Sequence, residues 1–267
     1  MSEAASPRDT LAPAARTAAQ WLAGWWRIVH LAALLLAMAL SPSLYAPQSR
    51  SVLARQIYID TAPVLLWFSV LTTLISVVVI RIVLVTALSY GLSQYALEMV
   101  VRVLVLELIP LTAALFAALR CTLPNAAEIG DLRAQGAWEA ALREGSDPLR
   151  HEVLPRVAAG VFCALLLAAV SCVVTLLVAY VSVYGITSSG FAAYTHTVGQ
   201  VFNPAVSLIL SLKIVFFGIT VALTPIAAVL DETPRPNART SAELQGLVRM
   251  SLLILLIEAA SLVGNYY

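Results

Sequence analysis

Charge is what this chain has least of. Of its 267 residues only 12% are charged while 60% are hydrophobic, and the mean hydropathy is +0.88. A soluble domain of this size needs far more charge to cover its surface, so the composition points to a polytopic membrane protein. No sign of charge dominates either. The formal net charge is +1, which removes the electrostatic case for binding nucleic acid. Metal-ligating residues are also sparse. The three histidines, His30, His151 and His196, are scattered, and Cys121, Cys163 and Cys172 fall in or beside apolar runs without metal-ligand spacing. The cysteines read as small packing residues, and no metal is expected. His151 beside Glu152 reads as a solvated face. The chain has no Ser/His/Asp or Cys/His arrangement, no paired-aspartate site and no Walker A lysine loop. It is therefore expected to carry no catalytic site and no cofactor. A cleaved signal peptide is not expected, because the first apolar run starts late, is rich in Trp and ends at Ser41-Pro42 without a small-residue cleavage site.

What the chain does have is long apolar runs. Residues 1–13 are polar, with Pro7 and Pro13, and read as disordered. Residues 14–40 read as a helix whose first half holds Trp21, Trp25, Trp26, Arg16, Arg27 and His30. That content suits the headgroup level, so an interfacial elbow helix is expected. Its uncharged part, Leu31 to Leu40, is too short for a crossing of ~20 residues. Pro42 and Pro47 break it, and residues 48–58 read as a short amphipathic connector. Full spans are expected at about 61–84, 99–119, 156–184, 204–230 and 247–263. The stretch 185–203 reads as an uncharged loop. The fold class is thus all-α: an elbow helix, then a five-helix membrane domain over residues 59–267, with one polar segment at 121–156.

Lys and Arg orient the spans. Five Arg precede the first span, five lie in the central segment and three lie between or just inside the fourth and fifth spans. The 185–203 loop and the last three residues have none. The positive-inside rule then puts the N-terminus and the central segment in the cytoplasm and the C-terminus outside. Three charges sit within apolar runs: Glu107, Lys213 and Glu258. Each costs ~2.5–3.5 kcal/mol at mid-bilayer unless it finds a partner or water. They lie about eight, nine and seven residues from the outer ends of their spans, which at ~1.5 Å per residue puts all three roughly 10–14 Å below the outer surface. A Glu–Lys pair or triad lining an outward-facing cavity is geometrically possible; interhelical glue without ligand contact is the plainer alternative. Arg102, nearer the surface, is expected to snorkel.

The chain is organised around residues 107–156, which leave an apolar helix at Arg120 and re-enter one after Pro155-Arg156. The segment contains Glu107-Leu108-Ile109-Pro110, an apolar run to Arg120, Ala127-Glu128-Ile129-Gly130, Asp147-Pro148-Leu149-Arg150 and Pro155-Arg156-Val157-Ala158-Ala159-Gly160. In these motifs the chain resembles the MlaE permease family, the membrane subunits of ABC-type lipid transporters that work with MCE-domain proteins. Weaker likeness extends over roughly residues 50–265, through Arg55-Gln56-Ile57-Tyr58 and Ser211-Leu212-Lys213-Ile214. The chain departs from the family pattern at Ile109, where the family has glycine, at Cys121-Thr122-Leu123-Pro124-Asn125, where it has small residues, and at Gln135-Gly136-Ala137, where it has an acidic stretch.

The resemblance implies a homodimer enclosing a lipid cavity open to the periplasm in a bacterial inner membrane. It also implies two further partners: a separate ABC ATP-binding subunit, docked on a cytoplasmic coupling helix, and a periplasmic MCE-domain protein. Here that helix would be about residues 126–143, with Glu128, Arg133, Trp138, Glu139 and Arg143 on it. Glu107, Lys213 and Glu258 would shape the polar part of the cavity. The expected function is the permease subunit of an ABC-type phospholipid transporter. A non-transporting scaffold for the same partners, or a permease for another hydrophobic substrate, remains open at this point.

Overall fold

A computed structural model describes residues 24–38, 47–92, 95–231 and 239–266. Residues 1–13 and most of the first half of the expected elbow helix lie outside these. Among the described residues there is no strand, and five helices are long and apolar enough to cross a membrane. In order they occupy Ser51–Ser89, Ala96–Ala134, Leu149–Tyr184, Pro204–Asp231 and Leu244–Asn265. A shorter apolar helix, α1 (Gly24–Met38), precedes them. At 1.5 Å per residue it is about 22 Å long, short of the ~30 Å hydrocarbon core. It packs Leu35, with Leu31, Ala32 and Met38 beside it, onto the arginine-bearing end of the bundle.

The first long helix, α2 (Pro47–Ser89), is continuous through Pro63. The expected connector at 48–58 is therefore the first part of the span helix. Nothing after Pro47 breaks it: the residues Ser51 to Asp60 are helix-compatible, and Pro63 loses only one backbone bond, which a helix in a bundle tolerates. The second span is one rod of differing winding: α3 (Ala96–Val100), a π-helical segment (Val101–Leu108), α4 (Ile109–Ala117), a π-helical turn (Ala118–Thr122) and α5 (Leu123–Ala134). It ends at Gly136, whose φ of 74° only glycine adopts readily. A separate short helix, α6 (Ala137–Arg143), follows. The expected single helix over 126–143 is thus two. The alternation in Ala134 to Glu144 looks helical throughout, but the left-handed glycine turns the chain.

A third π-helical turn (Leu149–Val153) leads into α7 (Leu154–Tyr184), the central post, which packs against α2, α4 and α9. The expected loop at 185–203 holds a helix, α8 (Phe191–Val201). Apolar ring packing overrides its loop-like composition: Tyr180, Tyr184, Phe191 and Tyr194 form one cluster. The Tyr194 hydroxyl donates to the Leu176 carbonyl at 2.7 Å, and burial pushes its phenol up to about 12. Then come α9 (Pro204–Asp231) and α10 (Arg239–Tyr266), which pair along their length.

Small residues let the helices close on one another, as membrane packing requires where no hydrophobic effect drives association. Ala113, Ala114, Ala117 and Ala118 meet Cys163, Ala164 and Ala168 in the largest core cluster, with Phe68 and Phe217 at its sides. A Cβ at Gly160 would sit 2.8 Å from Thr122 Cγ2 and 3.2 Å from Ala222 Cβ. Glycine there lets α7, the start of α5 and α9 share one crossing point. Ser76 and Thr175 join α2 to α7 through buried hydroxyls 2.9 Å apart.

Candidate functional site

Three charges that the sequence scatters over 151 positions meet in space. Lys213, the chain's sole lysine, projects from α9 between Glu107 of the π-helical segment and Glu258 of α10. Its Nζ donates to Glu107 Oε2 and lies 2.9 Å from Glu258 Oε2 as an ion pair. The lysine side chain is only 1% exposed, against 13% for Glu107 and 14% for Glu258. The cation is therefore enclosed, and anything reaching the cluster meets carboxylate first. Lys213 also lies 5.8 Å from the Phe217 ring centre.

Pro110 explains how the lysine is seated. In a regular helix its N–H would bond to the carbonyl four residues back, and proline has none to give. That carbonyl belongs to Leu106, and Lys213 Nζ donates to it at 3.1 Å. The local winding is π-helical, a geometry that recurs at functional sites. Asn265, the last residue but one of α10, donates to the other oxygen of Glu107 at 3.3 Å. Ser261, on the same face, has a buried hydroxyl without a hydrogen-bond partner. Reading the sequence for ionised residues finds the three charges and misses these two neutral polar ones. The signal available was spacing: residues 258, 261 and 265 fall on one helical face. The cluster holds two carboxylates and one ammonium. Arg102, the nearest other cation in sequence, is bound instead to Glu98 at 2.9 Å, an i,i+4 pair at the helix surface.

The coupling residues are dispersed. Glu128 is exposed and meets Arg156 at 3.4 Å; Arg156 also pairs with Glu152. Arg133 turns inward, donating to the Val229 carbonyl at 2.6 Å. Trp138 is half-buried against the cluster of Leu35, Ile129 and Ile226 in its own chain. Glu139 and Arg143 are exposed on α6, which buries no residue. Beneath α5, Asp60 of α2 accepts from Asn125 Nδ2 at 2.7 Å and from Gln56 Nε2 at 3.1 Å. An apolar recess of about 330 Å³ lies between the π-helical turn Ala118–Thr122, α5, α9 and α10, lined by Leu119, Pro124, Pro225 and Leu247 among others. It holds none of the expected site residues. Among the described residues no cluster of His, Cys, Asp or Glu could hold a metal ion.

The family model for permease MlaE matches residues 53–263. The chain belongs to the MlaE permease family. The match runs from the first span to within the last turn of the fifth, so it takes in the whole bundle and all three charges. No curated protein matches the chain. An MlaE permease is a membrane subunit of a lipid transport system, not itself a catalyst. Five spanning helices and membership of this family make the chain a multi-pass membrane protein of transport.

Proposed function

We propose that the chain is the permease subunit of an ABC-type phospholipid transporter in a bacterial inner membrane. Two copies would enclose the lipid path, a separate ATP-binding subunit would drive it, and an MCE-domain protein would receive or deliver lipid on the periplasmic side. The observation that carries this reading is the enclosed Glu107–Lys213–Glu258 cluster inside a five-span MlaE bundle. A charge cluster of this kind inside a membrane marks a path for polar groups more often than it marks a stable core. Glu107, Lys213 and Glu258 lie toward the ends of their helices opposite the arginine-rich segments, so the cluster would be reached from that end. By the charge rule that end faces the periplasm, with the N-terminus cytoplasmic.

In use, ATP binding by the partner would press on the segment 121–156. The long α7 would carry the displacement past α2, α4 and α9 to the dimer cavity, and the Glu107–Lys213–Glu258 cluster would meet the polar part of the lipid. The inward placement of Arg133 and Trp138 leaves Glu139, Arg143 and Glu128 as the outward part of that contact. The same placement favours the rival, a scaffold that anchors partners without moving lipid. Purification in mild detergent followed by reconstitution decides between them. Recovery of an ATP-binding subunit, an MCE-domain protein and ATP-dependent movement of labelled phospholipid is the expected result, with Glu107→Ala and Lys213→Ala lowering transport while the complex still assembles. Wild-type transport in both variants removes the cluster from the path. Recovery of the chain without an ATPase leaves the scaffold.

A further inference from the structure

A second polar cluster lies beneath α5, away from Lys213. It is a junction of α2, the second span and α7. Asn125, on the first turn of α5, is 4% exposed. Its amide donates at 2.7 Å to the carboxylate of Asp60, and Gln56 holds the other oxygen from one turn earlier on α2. Cys121, four residues before Asn125 and so on the same helical face, donates its thiol to the Asp60 carbonyl at 3.4 Å. The same sulfur lies 2.8 Å from Cys163 Sγ on α7, both residues being buried and free of a disulfide. Two successive turns of the second span thus grip one residue of α2 and touch α7.

The winding around this grip is uneven. Immediately before α5 the helix makes the π-helical turn Ala118–Thr122, and the chain enters α7 through a second one, Leu149–Val153. Such π-helical segments are rare and recur at functional sites. The segment between them is tied to α2 at Asp60 by bonds that are expensive to break once buried.

We propose that Asp60 and Asn125 are positioning residues, the fulcrum about which the coupling segment turns, so that a push from outside displaces α2 and α7 instead of sliding along them. The inference rests on the transporter reading. The fulcrum stays made throughout the cycle, and the two π-helical turns absorb the change of angle.

The test uses the full complex in proteoliposomes and reads labelled phospholipid moved per ATP hydrolysed. Asp60→Ala and Asn125→Leu are each expected to lower that ratio at least roughly fivefold, within the range of about 2- to 30-fold seen for coupling residues. The ATP-binding subunit still co-purifies and hydrolyses ATP. The exchange of Asp60→Asn with Asn125→Asp rebuilds the hydrogen bond with its donor reversed and is expected to restore the ratio. A residue that merely stabilises the fold would lower assembly, transport and hydrolysis together and leave the ratio unmoved. An unmoved ratio in the single variants, or an exchange as impaired as they are, overturns the proposal.

A second measurement needs no substitution. Iodine, which crosses membranes, takes two electrons from Cys121 and Cys163, leaving a disulfide, two protons and two iodide ions. A fulcrum that stays closed tolerates this lock, so transport is expected to persist with the two thiols joined. Loss of transport on locking, or failure of the thiols to join, overturns the proposal. A wild-type complex that hydrolyses ATP without moving lipid overturns the transporter reading itself, a result that neither the variants nor the lock can mimic.

Discussion

Glu107 and Glu128 sit on the same long helix, Ala96–Ala134, and meet their cations in opposite ways. At the first, an ammonium is wrapped by two carboxylates and a backbone carbonyl until almost none of it reaches the surface. At the second, the guanidinium of Arg156 bridges Glu128 and Glu152, of which Glu128 is 61% exposed. Desolvation separates them. Removing one partner from an enclosed pair strands a charge in a medium that cannot solvate it, whereas an open pair exchanges one partner for water at little cost. Three helices converge on the enclosed ion, and the open pair lies where the chain is expected to meet water and a partner.

Lys213→Met would test that contrast most severely. Leaving Glu107 and Glu258 without their cation is expected to lower stability in detergent by about 3–5 kcal/mol, read as the shift in a denaturation midpoint. A loss below ~1 kcal/mol, the size typical of exposed pairs, would place the cluster in water and erase the distinction. Gly160→Leu probes packing instead of charge. The side chain would collide with Thr122 and Ala222, and a loss of about 1–3 kcal/mol is expected, again from denaturation. Ser76→Ala breaks the hydroxyl pair with Thr175 and is expected to cost about 0.6 kcal/mol, the average for polar contacts between membrane helices. The smallest effect belongs to the open pair. Glu152→Gln is expected to change stability by less than ~1 kcal/mol, and that small difference should shrink at about 1 M salt, where the screening length is ~3 Å. The Lys213→Met effect should survive the same salt.

How far the sequence spoke follows from the same physics. The five spans were legible because an apolar run long enough to cross a membrane has few other readings. The common depth of Glu107, Lys213 and Glu258 was legible too, since a charge in such a run stands out and helical rise is constant. Asp60 was not, because a carboxylate at a span border reads as solvated; only the three-dimensional course of α5 brings Asn125 onto it. The seat of Lys213 was half-legible: Pro110 announces a carbonyl without its usual donor, but not which side chain will supply one. Gly136 was hidden by helix formers on both sides, and α8 by small and polar residues whose helical state depends on the tyrosines of α7.

That glycine has a consequence for how the protein changes over generations. It divides the coupling segment into a rod, α5, whose Asn125, Ala126 and Ile129 are buried, and a cap, α6, with no fully buried residue and Trp138 half-buried against the bundle. A substitution in the rod is judged by the whole bundle before any partner is met. A substitution in the cap, Trp138 apart, is judged mainly by what docks there. The turn at Gly136 thus lets the docking surface drift along with a partner while the membrane bundle beneath it stands still.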